Sequence, residues 1–60
     1  MDPDEIRAAR LSLGLTQELM APLLGYGDKM RVSEIELGRR KPSDAVVRLL
    51  VAYLEGYRPK

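Results

Sequence analysis

The apolar residues of the chain recur at helical spacing, and no segment alternates between apolar and polar positions as a β-strand does. Four such stretches are separated by residues that start or stop helices, with Asp, Thr or Ser before each stretch and Gly after it. The pattern therefore predicts four short helices, over about residues 3–13, 17–23 or 17–24, 29–37 and 44–55. The start and stop residues are Asp2 (or Asp4) and Gly14, Thr16 and Gly25, Asp28 and Gly38, and Ser43 and Gly56, with Pro59 beyond.

Each predicted helix has an apolar face, with residues three or four positions apart. The expected inward residues are Ile6, Ala9 and Leu13, then Leu19, Leu23 and Leu24, then Val32 and Ile35. No repeat or linker divides the 60 residues, which predicts a single all-α domain.

Pro22 lies inside the second predicted helix. It lacks the amide N–H that would bond to the Glu18 carbonyl, so we expect this helix to be bent or shortened.

Two charged residues fall on inward faces of predicted helices. Arg10 lies four residues after Ile6 and three before Leu13, and Glu36 lies four residues after Val32. A buried guanidinium requires a partner, so the spacing predicts an ion pair between Arg10 and Glu36. The alternative is that Arg10 extends along the surface and keeps its charged end in water.

The composition excludes several classes of function. The chain contains no Cys and no His, which removes disulfides, thiolate or imidazole metal ligands and an imidazole general base. We therefore expect no metal-dependent or Ser-His enzyme, no cofactor and no catalytic residue. No apolar run approaches the roughly 20 residues of a membrane span, and the acidic start is unlike a secretory signal. A cytoplasmic protein without membrane contact is the expectation.

Charge is distributed unevenly along the chain. The formal net charge is +1, but residues 1–27 carry −2 and residues 28–60 carry +3. Three consecutive basic residues, Arg39, Arg40 and Lys41, follow the third predicted helix. This separation favours an anionic partner for the second half, although a short basic run is often only a solvated loop.

Two helices joined by a Gly-containing turn and followed by a basic loop are the parts of a helix-turn-helix DNA-binding unit. Residues 13–18 (LGLTQE), 23–25 (LLG), 32–38 (VSEIELG) and 39–43 (RRKPS) carry a specific likeness. In this order and spacing they resemble the phage repressor and Cro-type (XRE-like) helix-turn-helix family. The resemblance implies a compact lambda-repressor-like fold of four to five helices. The turn from Gly25 to Asp28 is one residue longer than is usual in this family.

The resemblance also implies roles for individual residues. Ala21 matches the small residue that lets the second and third helices approach closely, and Arg10 and Glu36 match a structural ion pair. The segment of about residues 28–37 matches the recognition helix, which enters the major groove of DNA. The resemblance implies base contacts from Lys29, Met30, Arg31, Ser33 and Glu34, and phosphate contacts from Gln17, Arg39, Arg40 and Lys41. Met30 and Glu34 are unusual at such positions, and both could instead face solvent.

The function that follows is sequence-specific binding of double-stranded DNA by a transcriptional regulator, either a Cro-like repressor or an antitoxin-type protein with a toxin partner. A second hypothesis is a protein-interaction module that keeps the helix-turn-helix scaffold without binding DNA. Gln17 and the basic run favour the first hypothesis. Acidic Glu34 and the low net charge favour the second.

The last predicted helix has more apolar surface than one small domain can cover. Its apolar residues from position 46 to 57 span an arc of roughly 200°, about twice the stripe that faces one core. We therefore expect a homodimer, with Val51, Leu54 and Tyr57 at the interface and Val46, Leu50 and Tyr53 in the core. Two-fold pairing would place two recognition helices about 34–36 Å apart, as a palindromic site requires. The alternative is that the helix is wholly buried in its own domain.

Overall fold

Four α-helices form the described part of the chain, residues 1–58 of the computed structural model. Helix α1 spans Pro3–Ser12, α2 spans Gln17–Leu23, α3 spans Lys29–Glu36 and α4 spans Asp44–Leu54. Residues 1–58 contain four helices and no strand, and this confirms the expected all-α fold. Pro59, which the sequence places beyond the last helix, and Lys60 lie outside the described residues. No described helix combines the length and apolar character needed to cross a membrane.

Each helix begins at a side chain that accepts a hydrogen bond from a backbone N–H of the first turn. At α1 the Asp2 carboxylate accepts from the Glu5 N–H at 2.8 Å, and the Glu5 carboxylate accepts from the Asp2 N–H at 2.9 Å. This reciprocal capping box makes Asp2, and not Asp4, the cap. Thr16, Asp28 and Ser43 cap the other three helices, as the sequence predicts.

All four helices end in the same backbone arrangement, a Schellman motif. At the end of α3, the Gly38 N–H donates to the Ile35 carbonyl at 3.1 Å, and the Arg39 N–H donates to the Glu34 carbonyl at 2.9 Å. Gly38 has a φ of 78°, a left-handed conformation that residues with a Cβ rarely adopt. The motif therefore fixes the direction in which the chain leaves α3. Gly14, Gly25 and Gly56 have the same role at the ends of α1, α2 and α4.

The core lies between all four helices, and α2 packs most extensively against α3. Tyr53 is buried and its hydroxyl donates to the Leu23 carbonyl at 3.2 Å, which connects α4 to α2. All of the expected inward apolar positions of α1, α3 and α4 are buried or partly buried. The buried apolar residues are Ile6, Ala9, Met20, Ala21, Leu24, Val32, Ile35, Leu50 and Tyr53.

The predicted inward face of α2 is wrong in one position. Leu19 is 56% exposed, whereas Met20 and Ala21 are each 1% exposed. Because α2 advances by about 100° per residue, Leu19 points roughly 145° away from the mean direction of Met20, Ala21 and Leu24. The apolar character of Leu19 suggested burial, but its angular position on the helix places it in solvent.

Pro22 falls near the end of α2, which is the shortest of the four described helices at 7 residues. It is the sixth residue of this helix, so the bond missing to the Glu18 carbonyl belongs to the last turn. The helix ends one residue later, at Leu23, and Gly25 then reverses the chain. Because α2 ends where its apolar pattern and Gly25 already place its end, the structure shows no additional shortening that Pro22 would explain.

Candidate nucleic-acid interface

The exposed face of α3 is defined by the two residues that α3 buries. Val32 and Ile35 are 1% and 2% exposed and point into the core. At about 100° per residue, Met30 and Leu37 lie on the opposite side of the helix. Each is 64% exposed, so an apolar centre marks the outer surface of α3. Leu37 was not among the predicted contact residues, although the same helical periodicity would have identified it.

The remaining predicted base-contact residues flank this centre. Ser33 and Glu34 lie beside it and are partly exposed. Lys29 and Arg31 are exposed but lie about 160° apart around the helix, so they do not share one face. Lys29 faces the start of α2, since it lines the same groove as Thr16 and Gln17. Of the five predicted base-contact residues, Met30 therefore lies at the centre of the exposed face and Ser33 and Glu34 lie beside it. Lys29 and Arg31 lie at opposite edges of this face.

Gln17 connects the first turn of α2 to α3. Its side-chain Nε2 donates to Glu36 Oε1 at 3.3 Å, a contact that the sequence did not predict. Ser33 lines a groove that also includes Gln17 and Glu36. Since an amide nitrogen carries two hydrogens, the contact with Glu36 leaves one donor of Gln17 available to a second acceptor.

Arg10 and Glu36 form a two-pronged ion pair beneath this surface. Arg10 Nε donates to Glu36 Oε2 at 2.7 Å and Arg10 Nη2 donates to Glu36 Oε1 at 3.0 Å. Nη1 donates to the Leu15 carbonyl at 3.0 Å, so the guanidinium joins α1, α3 and the α1–α2 loop. The hydrogen bond with Glu36 raises the pKa of Arg10 above its ordinary value, despite partial burial. The structure thus brings together the two residues that the helical periodicity pairs.

The side chains of this pair are almost enclosed. The Arg10 and Glu36 side chains are 11% and 6% exposed. Among the described residues, no buried side-chain nitrogen or oxygen lacks a hydrogen-bond partner. The alternative in which Arg10 extends into water is therefore not the observed conformation.

Arg39, Arg40 and Lys41, here called the basic loop, leave α3 at the Schellman motif and are all exposed. Arg40 also interacts with α3: its Nε lies 3.8 Å from Glu34 Oε1. The two side chains are 45% and 38% exposed. The basic loop and the exposed face of α3 therefore form one continuous surface, with an acidic residue at their junction.

A separate apolar patch lies on α4 and just after it. Val51, Leu54 and Tyr57, here called the C-terminal apolar patch, are 39%, 41% and 50% exposed. The Tyr57 ring lies against the Tyr53 ring, with centroids 5.5 Å apart and planes tilted by 48°. Helix α4 is therefore not wholly buried within its own domain. Val46 is partly buried, while Leu50 and Tyr53 belong to the core.

Comparison with known proteins bears on what this surface does. A protein-family model described as Helix-turn-helix matches residues 6–59, which is all of the chain except its first five residues and its last. No curated protein and no solved structure matches the chain.

Proposed function

The chain belongs to the XRE-like helix-turn-helix family of DNA-binding regulators, and from this premise we propose that it is a Cro/repressor-like regulator of transcription that binds a palindromic operator as a homodimer. In this proposal residues 28–37 enter the major groove and the basic loop lies along the adjacent sugar–phosphate backbone. The observation that carries the proposal is the continuity of these two surfaces. The backbone bond from Arg39 to Glu34 holds the basic loop directly beside the exposed face of α3.

Base recognition is assigned to the centre of the α3 face and its two edges. Met30 can contact a thymine methyl group, and Glu34 can accept a hydrogen bond from a cytosine amino group. Ser33 can donate to or accept from a base edge, and Lys29 and Arg31 can donate to guanine. Because Lys29 and Arg31 lie on opposite edges, we expect them to contact different base pairs, or one of them to contact phosphate.

Phosphate contacts are assigned to Arg39, Arg40, Lys41 and Gln17. The basic residues neutralise phosphate charge without reading sequence. Gln17 uses the amide hydrogen that its contact with Glu36 leaves available. The buried Arg10–Glu36 pair does not touch DNA in this proposal, but it fixes Gln17 relative to α3.

The homodimer is assigned to the C-terminal apolar patch. A two-fold contact uses the same patch on both copies, so Val51, Leu54 and Tyr57 of one chain would pack on those of the other. Binding to a palindromic site requires the dimer to present two α3 helices to successive major grooves on one side of the duplex. The two-fold contact also removes from water three residues that are at least 39% exposed.

Selection of bound duplexes from a random pool tests the DNA-binding proposal. We expect enrichment of an inverted repeat whose half-sites are about one helical turn apart. Fluorescence anisotropy on the selected duplex should then show affinity that falls steeply as salt concentration rises. A correctly folded protein that binds no duplex even at about 50 mM salt would contradict the proposal.

Sedimentation across a concentration series, with and without the selected duplex, tests the homodimer. We expect a monomer–dimer equilibrium for the wild type and a monomer for Val51→Asp. Ala45→Asp is the matched control, since Ala45 is an exposed residue near the start of the same helix. Unchanged association of Val51→Asp, or a wild type that stays monomeric on DNA, would contradict the assigned interface.

A second candidate function is a protein-interaction module. It is favoured by the apolar centre of the α3 face, where Met30 and Leu37 are each 64% exposed, and by the acidic neighbour Glu34. The same anisotropy experiment separates the candidates. Binding to duplex with a steep salt dependence supports the first, and absence of binding by a folded protein at low salt supports the second.

A further inference from the structure

Glu34 is an acidic residue on a surface that the proposed function places against DNA. Its side chain is 38% exposed, and it lies between the apolar centre of α3 and the basic loop. Its nearest cation is Arg40, with 3.8 Å between Glu34 Oε1 and Arg40 Nε. This distance is too long for a hydrogen bond, so the two groups attract each other through their charges alone.

The backbone keeps Arg40 close to Glu34. The Arg39 N–H donates to the carbonyl of Glu34 itself at 2.9 Å, and the Gly38 N–H donates to the Ile35 carbonyl at 3.1 Å. Arg40 is the next residue along the chain, so its guanidinium stays within reach of the Glu34 carboxylate. The end of α3 therefore keeps the two groups close together, and both side chains are exposed to water. Exposed ion pairs of this kind contribute little to folding stability.

A DNA phosphate competes with Glu34 for Arg40. When Arg40 moves to a phosphate, the Glu34 carboxylate loses its cation and remains near a polyanion. A carboxylate there is repelled and partly desolvated unless a donor on a base edge replaces the lost partner. In the major groove such donors are the amino groups of cytosine and adenine.

We propose that the Glu34–Arg40 pair makes Glu34 a specificity-determining residue that acts mainly by weakening binding to wrong sequences. A duplex that has no amino group opposite Glu34 separates the ion pair, and the Glu34 carboxylate gains no hydrogen bond in place of its cation. DNA that offers one replaces the ion pair with a hydrogen bond to a base. The inference rests on the proposed function and assigns to Glu34 a role in rejection as well as in contact.

Substitution of Glu34 tests the inference with two probes, a 20-base-pair duplex of random sequence and the duplex selected by the wild-type protein. Glu34→Gln keeps the size of the side chain and removes its charge. We expect this variant to bind the random duplex more tightly, so that the ratio of affinities for selected and random duplex falls about fivefold or more. Glu55→Gln is the matched control, since it removes one exposed carboxylate at the far end of α4 and should change both affinities by the same small factor.

Substitution of Arg40 tests the exchange of partners. In the wild type, Arg40 gains a phosphate but loses Glu34, whereas in the Glu34→Gln background it gains a phosphate only. Arg40→Gln should therefore weaken random-duplex binding by a factor up to about fivefold larger in the Glu34→Gln background than in the wild type. Circular dichroism and melting of all four variants check that each is folded.

The outcomes separate this inference from the function on which it rests. A wild type that binds neither duplex contradicts the proposed function and the inference with it. A wild type that binds both, with an affinity ratio unchanged by Glu34→Gln or changed no more than by Glu55→Gln, contradicts the inference alone. Equal effects of Arg40→Gln in the two backgrounds would contradict the exchange of partners.

Discussion

Glu34 and Glu36 lie two residues apart on α3, but their carboxylates have different partners and different surroundings. Glu36 forms two hydrogen bonds with Arg10, at 2.7 and 3.0 Å, and its side chain is 6% exposed. Glu34 lies 3.8 Å from Arg40 without a hydrogen bond, and its side chain is 38% exposed. The same residue type, on the same helix, is thus enclosed and hydrogen-bonded to its cation at one position, and is exposed without a hydrogen bond to its cation at the other.

The difference comes from the helical geometry and from the origin of each partner. Glu36 points towards α1 and α2, where a second helix supplies Arg10 and the first turn of α2 supplies Gln17. Glu34 points outwards, and its partner comes from the loop that follows its own helix. Enclosed charges must be paired and hydrogen-bonded, whereas exposed charges can be solvated. We therefore expect the inner pair, Arg10 with Glu36, to control folding stability, and the outer pair, Glu34 with Arg40, to control DNA binding.

Loss of the inner pair should have the largest effect on stability. Arg10→Met leaves the Glu36 carboxylate buried without its cation, which should lower the free energy of unfolding by about 3–5 kcal/mol. Replacement of both residues, as in Arg10→Met with Glu36→Leu, should cost much less because no charge is stranded. Chemical denaturation measures both, with Arg40→Gln as the control at the outer pair. Equal, small effects of Arg10→Met and Glu36→Gln would contradict a structural role for the inner pair.

Gly38→Ala should have an intermediate effect. A Cβ at this position would meet Pro3 Cγ at 3.6 Å, which is an ordinary contact, so the cost comes from the φ of 78°. We expect a loss of about 1–2 kcal/mol, with weaker DNA binding as the basic loop loses its fixed direction. Gly27→Ala is the control, because Gly27 has no left-handed φ and open space around its Cβ position. Equal stability of the two variants would show that the left-handed conformation of Gly38 is not what directs the loop.

Loss of the outer pair should have the smallest effect on folding. Glu34→Gln and Arg40→Gln should each change the free energy of unfolding by less than about 1 kcal/mol. The same denaturation experiment measures this, so the inner and outer pairs are compared under identical conditions. A loss comparable to that of Arg10→Met would remove the distinction between the two pairs.

The local features of the fold are predictable from the sequence because each depends on a few neighbouring residues. Asp2, Thr16, Asp28 and Ser43 cap the helices through side chains that reach only two or three residues ahead. The glycines that end the helices also act only through the backbone of neighbouring residues. The pairing of Arg10 with Glu36 is predictable for a different reason, since a charge on an inward face needs an opposite charge on another inward face.

The features that the sequence did not predict depend on angles and distances between elements. Leu19 is predicted to lie inside because it is apolar, but α2 packs against α3 and the core through Met20 and Ala21, and Leu19 lies on the other side of the helix. The contact of Gln17 with Glu36 requires the relative position of α2 and α3. The approach of Arg40 to Glu34 requires the path of the chain after Gly38. None of these follows from periodicity within one helix.

The most direct test of the account is the salt dependence of duplex binding by the wild type and by a variant in which Arg39, Arg40 and Lys41 are all replaced by Ala. If the basic loop contacts phosphates, the variant binds every sequence more weakly, and the slope of log affinity against log salt becomes shallower by up to about 2.7, at about 0.9 per phosphate contact. Arg48→Ala, an exposed basic residue on α4, is the control and should leave the slope unchanged. A triple variant with wild-type affinity and slope would contradict the proposal that this surface binds DNA.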